Sequence, residues 1–106
     1  MDDRLKGVLA DLRQQLEVLY GPRFKHLVLY GSQARGDADV ESDVDCLVVL
    51  QGLVLPCDEI ARTEYIVAEI SLAYDVVVAC VFISEEAYKN GRSPLLLNVR
   101  REGQAV

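Results

Sequence analysis

The sequence is poor in several residue types that carry chemistry in other proteins. It contains no tryptophan, one histidine and three cysteines. The cysteines form no Cys-x-x-Cys pair, and their odd number favours reduced thiols over a disulfide framework. His26 is the only histidine, so the chain shows no zinc pattern and nothing supports a Ser-His-Asp or Cys-His triad. We interpret His26 as a strand residue.

Long hydrophobic runs and excess positive charge are also missing. The longest uncharged apolar run, residues 76–84, is shorter than the roughly 20 residues that a membrane helix needs. The N-terminal MDDRLKG lacks the features of a secretory signal, so we expect a cytoplasmic protein without membrane association. Acidic residues outnumber basic ones by 17 to 11, which gives a net charge of -6. That balance excludes a simple basic nucleic-acid-binding surface.

The remaining pattern predicts a single α/β (α+β) domain over residues 1–106. With 106 residues, of which 51% are hydrophobic, the chain is long enough for one modest core. Apolar spacings of three and four, together with capping residues, predict helices at 2–20 and 58–74 and two shorter ones after Ser84 and Ser93. Apolar β-rich segments predict strands at 24–30, 43–50 and 75–83. The order α-β-β-α-β-α-α indicates a small mixed sheet packed with helices.

The same periodicity predicts which side chains are buried. In the first long helix these are Leu5, Val8, Leu12, Leu16 and Leu19. In the second they are Ile60, Thr63, Val67, Ile70 and Tyr74. The third strand is apolar throughout, so we expect it to be covered on both faces. Cys46 and Cys80 lie in apolar strands and are predicted to be small core residues.

Acidic residues alternate through one short segment. They are Asp37, Asp39, Glu41, Asp43 and Asp45. We interpret the first three as a solvated loop. Asp43 and Asp45 begin an apolar strand, where residues i and i+2 share one face about 6–7 Å apart. Two such carboxylates repel each other and need a counter-charge. Oxygen ligands without His or Cys favour Mg²⁺ or Mn²⁺.

A glycine-serine turn precedes this pair of acids by twelve residues. Gly31 permits positive φ and close approach of a ligand, and Ser32 offers a hydroxyl, so the turn can hold phosphate oxygens. The spacing of Gly31 and Gly36 is that of a P-loop, but the required Lys-Ser/Thr is missing, which excludes that motif. Because Mg²⁺ is typically bound by carboxylates together with substrate phosphates, the turn and the acids form one candidate site.

Asp75 is the candidate for a third carboxylate. It stands before the most apolar predicted strand, where an acid is costly unless it has a role. The alternative is a solvated residue at the end of a strand.

The turn and the acidic pair together resemble a known family motif. Gly31-Ser32, ten intervening residues and Asp43-Val44-Asp45 are similar to the signature of minimal nucleotidyltransferase (MNT) domains of the DNA polymerase β-like superfamily. Ala34-Arg35-Gly36, Ser42, an Asp before a later apolar strand and the C-terminal SPLLLNVRREG are similar as well. The resemblance covers nearly the whole chain and implies a polymerase β-like nucleotidyltransferase fold.

The resemblance also implies roles for individual residues. Asp43, Asp45 and Asp75 would bind Mg²⁺ and act in catalysis. The residues implied in ATP binding are Gly31, Ser32, Arg35 and Ser42, although a surface arginine is an open alternative for Arg35. The implied reaction is in-line attack of an acceptor hydroxyl on the α-phosphate of ATP, which releases pyrophosphate.

Stand-alone MNT domains resemble the antitoxins of HEPN/MNT toxin-antitoxin pairs, in which AMP is transferred to a tyrosine of a HEPN ribonuclease toxin. This likeness implies an antitoxin that assembles with its toxin and does not bind nucleic acid directly. Because no acceptor-binding domain is visible before Val106, we expect the acceptor to be a separate molecule. Two alternatives stay open: a catalytically silent antitoxin that masks the toxin, and a small-molecule or antibiotic nucleotidyltransferase.

Overall fold

The computed structural model describes residues 2–36 and 43–106. The helices are α1 (Asp3–Tyr20), α2 (Ser32–Arg35), α3 (Pro56–Tyr74), α4 (Glu85–Asn90) and α5 (Pro94–Glu102), with a 3-10 turn at Gly21–Arg23. The strands are β1 (Phe24–Tyr30), β2 (Val44–Leu50), β3 (Val78–Ser84) and β4 (Gln104–Ala105). The predicted α/β fold is confirmed.

The described strands form one mixed sheet in the order β3-β2-β1-β4. β1 is antiparallel to both β2 and β4, whereas β2 is parallel to β3 and connected to it through α3. β4 was not predicted, because two residues are too few to show an alternating pattern. It is held against β1 by strand pairing and by the Val106 N–H, which donates to the Leu27 carbonyl at 3.0 Å.

The two faces of the sheet are covered by different helices. Residues of β2 at even positions, such as Cys46 and Val48, pack with α1 and α3 in the main core, which we call the core face. Leu47 and Val49 point to the second face, where they pack with Leu96 and Val99 of α5. Asp43 and Asp45 are in phase with Leu47 and Val49, so they belong to the second face.

Helix α1 follows its predicted phase except at its end. The buried residues include Leu5, Val8, Leu12 and Leu16, as expected. Leu19 was predicted to be buried but is 43% exposed, and Tyr20 takes its place in the core. The reason is that the hydroxyl of Tyr20 has a buried acceptor in α3, the carboxylate of Glu59.

In α3 the buried stripe consists of Glu59, Thr63, Ile66 and Ile70. Thr63 and Ile70 were predicted correctly, and Val67 and Tyr74 are partly buried. The prediction for Ile60 was wrong, since this side chain is 55% exposed. Glu59 occupies the inward position because its charge has hydrogen-bond donors there.

Strand β3 begins three residues later than predicted. Asp75 ends α3 in a left-handed conformation with φ 52° and ψ 55°, and its N–H donates to the Ser71 carbonyl. The expectation that β3 is covered on both faces was also wrong: Val81 is 37% exposed, and Val77 just before the strand is 60% exposed. The strand lies at the edge of the described sheet, where fewer neighbours cover it.

Cys46 is buried and Cys80 partly buried, in line with their predicted place in the core. Within residues 2–36 and 43–106, no helix is long and apolar enough to cross a membrane.

Candidate active site

Two of the predicted acids lie where β2 begins. Asp43 directly precedes the strand and is exposed, and Asp45 is half-buried at its second position. The neighbours of Asp45 across the sheet are Tyr30 on β1 and Ala79 on β3. Since paired residues point to the same face of a sheet, Asp45 lies between these two side chains.

The electrostatics of this pair are unfavourable in the protein alone. Burial raises the pKa of Asp45, and the neighbouring negative charge of Asp43 raises it further. Among the described residues, no donor or cation forms a hydrogen bond or an ion pair with Asp45. The strand therefore holds a carboxylate that would gain stability from a positive ligand.

Gly31 brings the glycine-serine turn into contact with this carboxylate. Its φ of 77° and ψ of -157° lie in a region essentially restricted to glycine. A Cβ at this position would lie 2.7 Å from Oδ2 of Asp45, so a side chain is excluded for a second reason. The N-terminal end of α2, which starts at Ser32, is thus placed beside Asp45. Peptide N–H groups at a helix N-terminus favour negative charge such as phosphate.

The other end of α2 is fixed to the C-terminal part of the chain. Nε2 of Gln104 donates to the Ala34 carbonyl at 2.7 Å, and Arg35 forms an ion pair with Glu102 at 2.9 Å. Gln104 is itself paired with Leu29 of β1. The predicted phosphate contact of Arg35 stays a prediction, since in this structure its guanidinium contacts a carboxylate.

The structure does not place Asp75 in one metal-binding group with the other two acids. It is exposed in the turn after α3, and it precedes Ala79, the β3 residue beside Asp45, by four positions. In the part of the chain that the structure describes, no group of three or more His, Cys, Asp or Glu side chains could hold a metal ion. Asp43 and Asp45 therefore form a pair there. The predicted site residue Ser42 lies outside the described residues, as do Asp37, Asp39 and Glu41.

Tyr30 is a neighbour of the site that the sequence reasoning missed. Its ring packs on the second face, and its pKa is raised by burial and by the charge of Asp45. The sequence could have indicated this neighbour. If the two strands on either side of the glycine-serine turn pair in an antiparallel way, Tyr30, the residue before Gly31, lies near the start of β2. Glu102 and Gln104 carried no such signal, since they reach α2 from a distant part of the sequence.

Comparisons with known proteins identify the family. The family described as "Nucleotidyltransferase domain" matches residues 9–96. Two Methanocaldococcus jannaschii proteins, each named "putative protein adenylyltransferase", are similar to this chain. One is 32% identical over 95 residues, which cover 86% of each chain. The other is 28% identical over 72 residues, which cover 68% of this chain and 72% of the relative.

Solved structures share the fold. A crystal structure of a toxin-antitoxin with AMP-PNP contains a chain with a TM-score of 0.65 and 17% identity, over 94% of this chain and 70% of that one. A tri-AMPylated Shewanella oneidensis HEPN toxin in complex with MNT antitoxin matches with a TM-score of 0.55 and 15% identity, over 92% and 70%. At these identities the likeness concerns the fold. With the family match over residues 9–96 and a 32% identical relative, this chain belongs to the nucleotidyltransferase domain family.

Proposed function

We propose that this protein transfers AMP from ATP to a tyrosine hydroxyl of a partner HEPN toxin and thereby neutralises it. The observation that carries the proposal is the acidic pair of Asp43 and Asp45, with Asp45 held against Gly31 at the N-terminal end of α2. The relatives support this reading, because two are named as protein adenylyltransferases and one structural neighbour contains an AMPylated HEPN toxin.

The residues of the site fit a divalent cation. Asp43 and Asp45 share one face, and burial together with the charge of Asp43 raises the pKa of Asp45, so a positive charge beside it would favour the ionised carboxylate. These two carboxylates would hold the cation, and Mg²⁺ or Mn²⁺ suits their oxygen ligands. When bound, such a cation neutralises charge on the phosphates.

The remaining groups of the site position the nucleotide. The absence of a side chain at Gly31 lets a phosphate approach the backbone, and the N–H groups of the first turn of α2 and the Ser32 hydroxyl can donate to its oxygens. Arg35 and Ser42 complete the proposed ATP-binding set.

In the proposed reaction, the acceptor oxygen forms a bond to the α-phosphorus, and the bond from that phosphorus to the bridging oxygen breaks. Pyrophosphate leaves, and the proton of the acceptor hydroxyl passes to a carboxylate. Asp75 is the proposed third carboxylate, as a cation ligand or as this base. Its exposure in the turn after α3 makes it accessible to an incoming acceptor.

The test is incubation of the protein with ATP labelled at the α-phosphate, Mg²⁺ and a purified HEPN protein encoded by the adjacent gene. We expect label on the toxin, located on a tyrosine by mass spectrometry, and no label with the double variant Asp43→Ala and Asp45→Ala. Asp58→Ala, which removes an exposed acid in the first turn of α3, is the matched control and should transfer normally.

Two results would contradict the proposal. In the first, neither the wild type nor the double variant transfers label, and the double variant still binds and inhibits the toxin. The protein is then a masking antitoxin. If a small alcohol or an antibiotic is modified without any protein acceptor, the small-molecule alternative is correct.

A further inference from the structure

The open edge of the sheet borders a groove on the core face. β3 pairs with β2 on one side and with no other described strand. Beside it lies a groove of about 520 Å³ between β3 and α3. We call this the β3–α3 groove; among its lining residues are Ile60, Glu64, Val67, Val78, Cys80 and Phe82. It lies on the core face, whereas Asp43 and Asp45 are on the second face.

The backbone of β3 offers hydrogen bonds along this edge. The Val44 N–H donates to the Val77 carbonyl at 2.8 Å, so odd-numbered residues of this strand bond to β2. The peptide groups of Cys80 and Phe82 therefore point away from β2. The Val78 N–H points the same way and donates to Oγ of Ser71 at 3.4 Å, which leaves the edge beyond it open.

This edge lacks the features that protect edge strands from pairing with other chains. Such strands usually carry a charged residue, a proline or a bulge. Residues 76–84 contain no charged residue, proline or glycine. The register of β3 against β2 is continuous over all seven residues of the strand. A regular, uncharged edge of this length is suited to accept another strand.

Charge indicates what kind of strand fits. Among the residues that the structure describes, Glu64 is the only charged one that lines the β3–α3 groove, and it forms no ion pair with another of them. The other exposed charges of α3, Asp58, Arg62 and Glu69, lie on a different side of the helix, so Glu64 sets the charge at the groove. A second copy of the chain carries the same net charge of -6, which opposes pairing of two copies. A basic residue opposite Glu64 is favourable.

We propose that the β3 edge and the β3–α3 groove bind an extended segment of a partner protein, with apolar residues at alternate positions and one lysine or arginine facing Glu64. The added strand would bond to the peptide groups of Cys80 and Phe82. Every second side chain would enter the groove, because side chains alternate with a period of two. This inference is independent of nucleotide transfer, since it concerns the other face of the sheet.

The experiment uses a fluorescent synthetic peptide in which valine and threonine alternate. Lysine replaces the central valine. Anisotropy with the full chain should show binding. Methylation of the peptide amides that face β3 should abolish it, and glutamate in place of the lysine should weaken it by about tenfold or more. With Glu64→Lys the preference between the two peptides should reverse, whereas the control Glu69→Lys, away from the groove lining, should keep it.

Three outcomes would overturn the proposal. One is the absence of binding by any of the peptides. A second is binding that is insensitive to amide methylation, because the backbone edge would then not be involved. The third is self-association of the chain, measured by sedimentation, that the lysine peptide reverses, because the occupant would then be a second copy.

Discussion

Glu59 in α3 and Asp45 in β2 are acids that the fold shields from solvent, wholly for Glu59 and partly for Asp45, and their surroundings differ. Glu59 is 2% exposed and accepts hydrogen bonds from the Tyr20 hydroxyl at 3.0 Å and from the Leu55 N–H at 3.3 Å. Arg62 lies 3.4 Å from its Oε1. Asp45 has a like charge as its neighbour, and no described residue donates a hydrogen bond to it.

The difference separates an acid that stabilises the fold from one that is suited to bind a ligand. A buried carboxylate with donors on both oxygens is satisfied by the protein itself. A carboxylate without donors, placed beside a second one, is satisfied only when a cation arrives. Five predictions test this difference between a structural acid and a ligand-binding acid. They are given in order from the largest expected effect to the smallest.

Replacing Asp45 by asparagine should lower nucleotide transfer by about 10³-fold, because electrostatic groups at the reacting phosphate contribute several kcal/mol. Initial rates of AMP incorporation measure this effect. The corresponding change Glu59→Gln should leave the rate per folded molecule almost unchanged. Equal losses of activity in the two variants would remove the distinction between the two acids.

Gly31→Ala should cost about 3 kcal/mol of unfolding free energy, because alanine is strained at this φ and ψ and its Cβ collides with Asp45. Gly36→Ala is the control, since Gly36 also has a positive φ of 80° but an added Cβ meets nothing within 4 Å. It should cost about 1–2 kcal/mol. Urea unfolding measures both losses of stability. Only Gly31→Ala should also lower the rate of nucleotide transfer per folded molecule.

Tyr20→Phe should destabilise the protein by about 1–3 kcal/mol, because the buried Glu59 loses a hydrogen-bond donor. Burial and the bond to Glu59 raise the pKa of Tyr20, so its hydroxyl stabilises the fold below pH 10 and loses this contribution at more alkaline pH. Transfer activity at pH 7 should be retained. Tyr74→Phe, which removes a bond to the less buried Asp11, should cost less.

The pH dependence of stability should identify Asp45 as the strained acid. Its raised pKa means that folding favours the neutral carboxyl. This favourable contribution is complete below the ordinary carboxyl pKa of about 4 and is lost as the pH rises through the raised value. In a chelating buffer, the melting temperature of the wild type should fall between pH 4 and pH 7 relative to that of Asp45→Asn. Parallel curves would contradict the raised pKa of Asp45.

The smallest effect is expected at the ion pair between Arg35 and Glu102. Its side chains are partly exposed, so breaking it should cost no more than about 1 kcal/mol. If Arg35 contacts phosphate, Arg35→Ala should raise the KM for ATP and Glu102→Ala should lower it or leave it unchanged. An unchanged KM in both variants would assign Arg35 to the surface, the alternative that the sequence left open.

The sequence predicted the parts of the fold that follow local periodicity. The long helices, the three main strands and the shared face of Asp43 and Asp45 all come from spacings of two, three and four residues. The prediction from sequence failed where contacts with distant residues determine which side chain is buried or where an element ends. Glu59 displaced Ile60 from the core because Tyr20 supplies a donor, and Asp75 ends a helix instead of beginning a strand.

For the candidate site, the sequence located the turn and the pair of acids because both belong to one short segment. The contact between Gly31 and Oδ2 of Asp45 could not be predicted, because it depends on how closely β1 and β2 approach. The same holds for Ala79, since it was the register of β3 that placed an alanine beside Asp45.

Helix α2 is four residues long, about 6 Å, and is held at both ends. Gly31 at its start lies against Asp45, and Ala34 and Arg35 near its end are tied to Gln104 and Glu102. A displacement at one end of so short a helix cannot be absorbed within it. If nucleotide shifts one end of α2 and a protein bound to the C-terminal segment shifts the other, the two binding events are thermodynamically linked, and each changes the affinity for the other by the same factor.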